Sequence, residues 1–163
     1  MIGLRAMLAI VTATIIFSAC ASATRDTAPN IDSAGAVMPN AALKPGDVLS
    51  TKVNDICVSG YAKRVRNVST ATKNQVYAEY GVAFHAPNEY EVDHLIPLGI
   101  GGSNDIKNLW PQPTDPRPGR LEKDALESVL HNRICDRSID VLTAQHDVAI
   151  DWVAAYRTYV QHR

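Results

Sequence analysis

The segment Glu91-Val92-Asp93-His94-Leu95-Ile96-Pro97-Leu98-Gly99 sets a carboxylate beside an imidazole at the end of an apolar run. Gly101-Gly102 and then Asn108-Leu109-Trp110-Pro111 follow it. These residue types suit metal-assisted hydrolysis. Asp93 offers a hard oxygen to a divalent cation. His94 titrates near neutral pH, so its ring can take a proton from an attacking water. A cation at Asp93 would stabilise the charge that builds on the reacting group. In a continuous strand His94 would point away from Asp93. Pro97 ends the strand close by and lets the imidazole lean toward the same centre.

Such a pair needs a rigid support. Residues 90–96 alternate as a strand, residues 99–102 turn, and residues 106–110 return as a second strand. Pro111, Pro113, Pro116 and Pro118 are expected to forbid regular structure between them. Upstream, residues 48–58 are expected to hold a short strand. Ser69 or Thr70 caps a helix that runs to Tyr80, with Val76, Tyr77 and Tyr80 on one face and Gly81 as its stop. Downstream, Leu121, Leu126, Val129, Leu130 and Ile134 fall at helical spacing across residues 119–134. A last helix over residues 141–160 is expected to turn Leu142, Ile150, Val153 and Tyr156 inward, with Trp152 and Tyr159 beside them. The fold class is α+β: a small two-stranded ribbon packed among three or four helices.

Residues 92–98, with Gly101-Gly102 and Asn108-Leu109, resemble the first two thirds of an HNH endonuclease motif, the ββα-metal nuclease fold. The match is strong over residues 90–113 and weaker to about 135. More loosely, Cys57-Val58-Ser59-Gly60-Tyr61 and Lys123-Asp124-x-Leu126-Glu127 resemble a secreted bacterial subgroup of that family. The resemblance implies a phosphodiester hydrolase with Asp93 as metal ligand and His94 as general base. It gives Asn108 the task of pinning the loop or orienting the histidine.

The third letter of the motif departs from the pattern. Its expected place holds Arg117, a non-ligand inside the proline-rich segment. An insertion before the helix would move the ligand onto the helix's first turns. Asp124 is the first choice there, Glu127 lies one turn later, and His131 one turn beyond. Each could instead belong to a solvated charged face, and Asp124 could simply complement the helix dipole. Lys123 is expected to contact the scissile phosphate or to pair with Glu127. Aspartate with one helix carboxylate favours Mg²⁺ or Mn²⁺, and a histidine ligand would shift the preference to Zn²⁺. Glu91 reads as an exposed strand carboxylate; His85, His146 and His162 read as surface residues, and Trp110 as core.

The partner implied is nucleic acid: DNA, with RNA as a second substrate. A net charge of -1 over 163 residues is not the footprint of a tight non-specific DNA binder, so any contact must be local. Lys63, Arg64, Arg66 and Lys73 supply such a patch, in a stretch with no acidic residue between Asp55 and Glu79. Tyr61 beside them could stack a base. No protein partner is implied.

Residues 1–23 read as a secretory leader, with Arg5 before an apolar run too short to span a membrane. Ile16-Phe17-Ser18-Ala19-Cys20 resembles a lipobox with Cys20 as the lipid-bearing residue, although Phe17 is a poor match. Ala21-Ser22-Ala23 would equally suit ordinary cleavage. The chain is therefore expected to leave a bacterial cell, as an envelope lipoprotein or in free form. Cys57 and Cys135 remain for a disulfide in an oxidising compartment. Residues 24–45 read as a flexible linker and residues 46–163 as the nuclease domain. Two other readings stand beside this one. The first is a non-catalytic envelope lipoprotein that keeps the scaffold and binds nucleic acid or a protein. The second, a hydrolase of another ester, lacks any nucleophile or oxyanion-hole motif.

Overall fold

Gly101 and Gly102 make a turn where no side chain fits. Gly101 has a φ of +94°, and a Cβ there would sit 2.1 Å from the Ser50 carbonyl oxygen. At Gly102 a Cβ would sit 1.8 Å from the Ile96 carbonyl oxygen. The computed structural model describes residues 30–31 and 37–161. Its elements are β1 (Asn30–Ile31), β2 (Val37–Met38), α1 (Val53–Ile56), α2 (Tyr61–Val65), α3 (Thr70–Glu79), β3 (Tyr90–His94), β4 (Leu109–Pro113), α4 (Arg120–Cys135) and α5 (Val141–Tyr156). Tight 3-10 turns occupy Leu98–Ile100 and Ile106–Asn108, and a π-helical turn follows at Arg157–Gln161. The leader with Cys20, half of the linker (residues 24–29 and 32–36), and His162 lie outside the described residues.

β3 and β4 pair antiparallel, with Asp93 opposite Trp110 and His94 opposite Leu109. β1 and β2 form a second, very short antiparallel pair. α4 packs on the turn Leu98–Ile100 and on α5. Leu126, Leu130 and Ile134 of α4 are wholly buried, as are Val148 and Trp152 of α5. The architecture is α+β, as the sequence pattern implies. Cys57 and Cys135 are bonded, with their Cα atoms 5.6 Å apart, and tie the end of α1 to the end of α4. Closing so long a loop restricts the unfolded chain and contributes at most about 4.5 kcal/mol. No helix among the described residues is long and apolar enough to cross a membrane.

α3 begins where expected: Ser69 accepts from the Thr72 amide at 3.0 Å, and Gly81, with φ +68°, follows its last turn. Other elements differ from the sequence pattern. Residues 48–58 hold α1 and only one isolated bridge, Val48 to Gly102, because the segment turns at Ser50 to reach Gly101. β3 ends at His94, before Ile96. The return strand starts at Leu109 and includes Pro111 and Pro113. In a two-stranded ribbon each strand has one free edge, and prolines are tolerated there. α5 breaks at Asp151, whose φ is -158° and whose carboxylate caps the Ala154 amide at 2.9 Å. Before the break the buried face is Val141, Ala144, Gln145 and Val148, so Leu142 and Ile150 lie off it toward solvent; after the break Trp152 and Val153 are buried. Packing also begins before Gly46. Met38 joins the core, and the buried Lys44 pairs with Glu79 and donates to the Ile106 carbonyl at 2.8 Å.

Candidate active site

Asn108 holds the loop that carries the ribbon's end. Its side-chain amide donates to the carbonyls of Ile96 and Ser103, each at 2.9 Å. Its Oδ1 accepts from the Ile96 amide at 2.9 Å and from the Asp47 amide at 3.4 Å. The residue is wholly buried, so each bond replaces one that water cannot supply. All four partners are backbone groups. Asn108 thus pins the loop and does not orient the histidine.

Asn104 orients the histidine. Its Nδ2 donates to the Val65 carbonyl at 2.8 Å, which fixes the amide's direction. Its Oδ1 then accepts from the Asn67 amide at 3.1 Å and faces His94 Nε2 at 3.2 Å. An amide oxygen can only accept, so Nε2 carries the ring proton and the lone pair sits on Nδ1. Burial pushes the His94 pKa below its ordinary value, and the positive charges of Arg66 and Lys123 push the same way. The bond to Asn104 and the charge of Asp93 oppose this without reversing it. His94 is therefore a neutral imidazole near pH 7, which is the form a general base requires. Through Val65 and Asn67, Asn104 also brings Arg66 into electrostatic range of the ring.

Lys123 reaches in from the first turn of α4. Its Nζ lies 2.7 Å from Asp93 Oδ2 and also donates to the His94 carbonyl. The lysine side chain is 3% exposed and that of Asp93 is 25% exposed. Burial works against the charge on Asp93, but contact with Lys123 and the His94 amide outweighs it and holds the carboxyl below its ordinary value. Lys123 pairs with Asp93 and not with Glu127. Glu127 Oε1 instead accepts from the Gly99 amide at 3.0 Å. Burial raises the Glu127 pKa; Lys123 opposes the shift and Asp93 adds to it.

Asp124, Glu127 and His131 line one wall of a cleft of about 650 Å³, and Val58 to Lys63 line the other. His131 Nδ1 donates to the Gly99 carbonyl at 2.7 Å, which turns the ring toward the loop. Asp124 is exposed. Of the basic patch, Lys63 is on this cleft and Arg66 is near His94, whereas Arg64 donates back to the Ser59 carbonyl at 2.6 Å. Lys73 is exposed in the first turn of α3 and does not join the site. Glu91 is exposed and faces Arg120 at 3.5 Å; Trp110 is core.

The resemblance asks for a divalent cation at Asp93, and the residues as placed do not fit one there. The carboxylate already holds an ammonium that cannot easily leave, because an unpaired buried charge is costly. A doubly charged ion and an ammonium about 5 Å apart repel by roughly 7 kcal/mol at an effective dielectric near 20. No group of three His, Cys, Asp or Glu side chains among the described residues gathers into a cage. Asp124, Glu127 and His131 face the cleft, while Asp93 faces Lys123.

Asn104 and the placement of Arg66 are the features that residue types alone missed. An asparagine after Gly-Gly-Ser reads as an ordinary turn residue, and only its partners distinguish it. No protein-family model, no curated protein and no solved structure matches this chain.

Proposed function

We propose that this site hydrolyses phosphodiester bonds in nucleic acid, DNA first and RNA as a second substrate, on an HNH-like ribbon, loop and helix. The observation that carries the reading is a neutral His94 with an assigned tautomer, set beside the Asp93–Lys123 pair and within the field of Arg66. Nδ1 takes the proton of a water attacking phosphorus. Arg66 offers a guanidinium to the phosphate, and Lys63 a second cation along the cleft. His94 is 2% exposed, so bulk solvent is kept away from it. Low sequence preference belongs to this reading, because few cations come near the site and contacts to phosphates carry no sequence information. Export, free or tethered through Cys20, belongs to the same proposal.

The test is cleavage of supercoiled plasmid and of RNA by the purified chain across pH, beside the variant His94→Ala. Wild type should cut, and the variant should lose about 10²- to 10⁴-fold in rate while still shifting DNA on a gel. Binding without cleavage in both proteins would leave the non-catalytic nucleic-acid module as the correct reading.

A further inference from the structure

We infer that Lys123 takes the place of the divalent cation, so that phosphodiester cleavage at this site needs no metal. The inference rests on the nuclease reading and adds the identity of its cation. Lys123 sits on the first turn of α4, on the helix to which the resemblance assigns the last metal ligand. Its ammonium occupies the Asp93 carboxylate at 2.7 Å and is also bonded to the carbonyl of His94, the base itself. Those two bonds use two of the three ammonium hydrogens. Among the described residues the ammonium has these two bonds and no third, on a side chain only 3% exposed. A non-bridging phosphate oxygen is an anion that would accept the third hydrogen. A buried ammonium is a compact charge in a low-dielectric setting, where electrostatic stabilisation of a phosphoryl group is strongest.

The step balances without a metal. The water oxygen bonds to phosphorus while His94 Nδ1 takes its proton. The phosphorus–oxygen bond to the leaving sugar breaks, and the pair departs on that oxygen. A solvent water protonates the leaving oxygen, and the hydroxide so formed takes the proton back from the imidazolium. Lys123 forms no covalent bond and gives up no proton. It donates its free hydrogen to the phosphate oxygen as charge accumulates there. Asp93 has no metal to bind and serves as the positioning partner of the ammonium.

The experiment compares plasmid cleavage by the full chain in excess EDTA and in millimolar Mg²⁺ or Mn²⁺, with Mn²⁺ alone titrated calorimetrically into the same protein. The expected result is EDTA activity within about threefold of the Mg²⁺ rate, and no Mn²⁺ site. Lys123→Met should lose at least a hundredfold in EDTA, and Lys123→Arg should keep part of that activity because the positive charge remains. The wild-type measurements decide the matter even if both variants misfold. Cleavage that disappears in EDTA and returns with Mg²⁺, or a stoichiometric Mn²⁺ site, overturns the inference and leaves the nuclease reading standing. No cleavage of DNA or RNA in any buffer overturns both.

Discussion

The end of β3 and the cleft face of α4 each carry a carboxylate within the field of Lys123, and the two carboxyls move in opposite directions. Asp93 touches the ammonium and is held below its ordinary pKa. Glu127 accepts from the Gly99 backbone amide, and burial raises it. The two groups pay the same kind of desolvation penalty. What separates them is contact: a charge-assisted bond at 2.7 Å reverses the penalty, whereas a cation felt only through space reduces it. A charged centre is thereby concentrated at the ribbon's end, beside the neutral His94. The α4 face is left weakly acidic, on the wall of an open cleft.

The contrast can be broken most strongly at Asp93. Asp93→Asn leaves Lys123 buried without its counter-charge. It should cost about 3 kcal/mol in urea unfolding, the low end for a buried pair because Asp93 keeps some exposure. The lowered carboxyl contributes stability that is present above its unfolded value near 3.8 and is lost as pH falls through the folded value. The gap between variant and wild type should therefore be full at pH 7 and close in strong acid. An equal gap at pH 7 and pH 2 would show that the ion pair is not its source.

Asn104→Ala is the next step down. It removes the acceptor of His94 Nε2 and the anchor of the Arg66 segment, for about 1–2 kcal/mol of stability. If His94 is the base of the proposed hydrolysis, the wild-type rate should rise with pH through a midpoint below 6.5, because its pKa is lowered. The bond to Asn104 raises that pKa, so its loss should move the midpoint lower still. A midpoint that moves upward in the variant would mean that release of Arg66 and exposure of the ring outweigh the bond to Asn104.

Glu127→Gln should have the smallest effect. The amide keeps an acceptor for the Gly99 N–H and removes a charge that burial disfavours. A raised carboxyl contributes stability below its unfolded value near 4.5 and loses it as pH rises through the folded value. The variant should thus equal or exceed wild type in thermal midpoint at pH 7, and the two should converge below pH 4.5. A variant clearly less stable at pH 7 would mean that the Glu127 charge is itself needed.

Much of this site is written in local residue order. Asp93-His94 at a strand end, the Gly101-Gly102 turn and the amide of Asn108 all act within one short stretch, where sequence spacing limits what can meet. The cap at Ser69 and the helical spacing of Leu126, Leu130 and Ile134 are legible for the same reason. β4 was harder to read, since whether Pro111 and Pro113 are tolerated depends on their lying in a ribbon with free edges. The break at Asp151 was harder too, because an aspartate that caps looks the same as one that is solvated.

The amino-acid order thus carries the α+β class, the adjacent imidazole and carboxylate, a structural amide at Asn108 and the cysteines available to join α1 to α4. Long-range packing settles which cation stands beside Asp93, which asparagine holds His94, and which basic residues come near them. Those are contacts between groups some ten to forty residues apart. Their distances depend on how α4 lies across the loop and how the segment after α2 is bound to Asn104. A lysine in a helix's first turn can face solvent or core with the same neighbours in sequence. Packing of α4 against the buried turn Leu98–Ile100 sends Lys123 inward, to the carboxylate of Asp93.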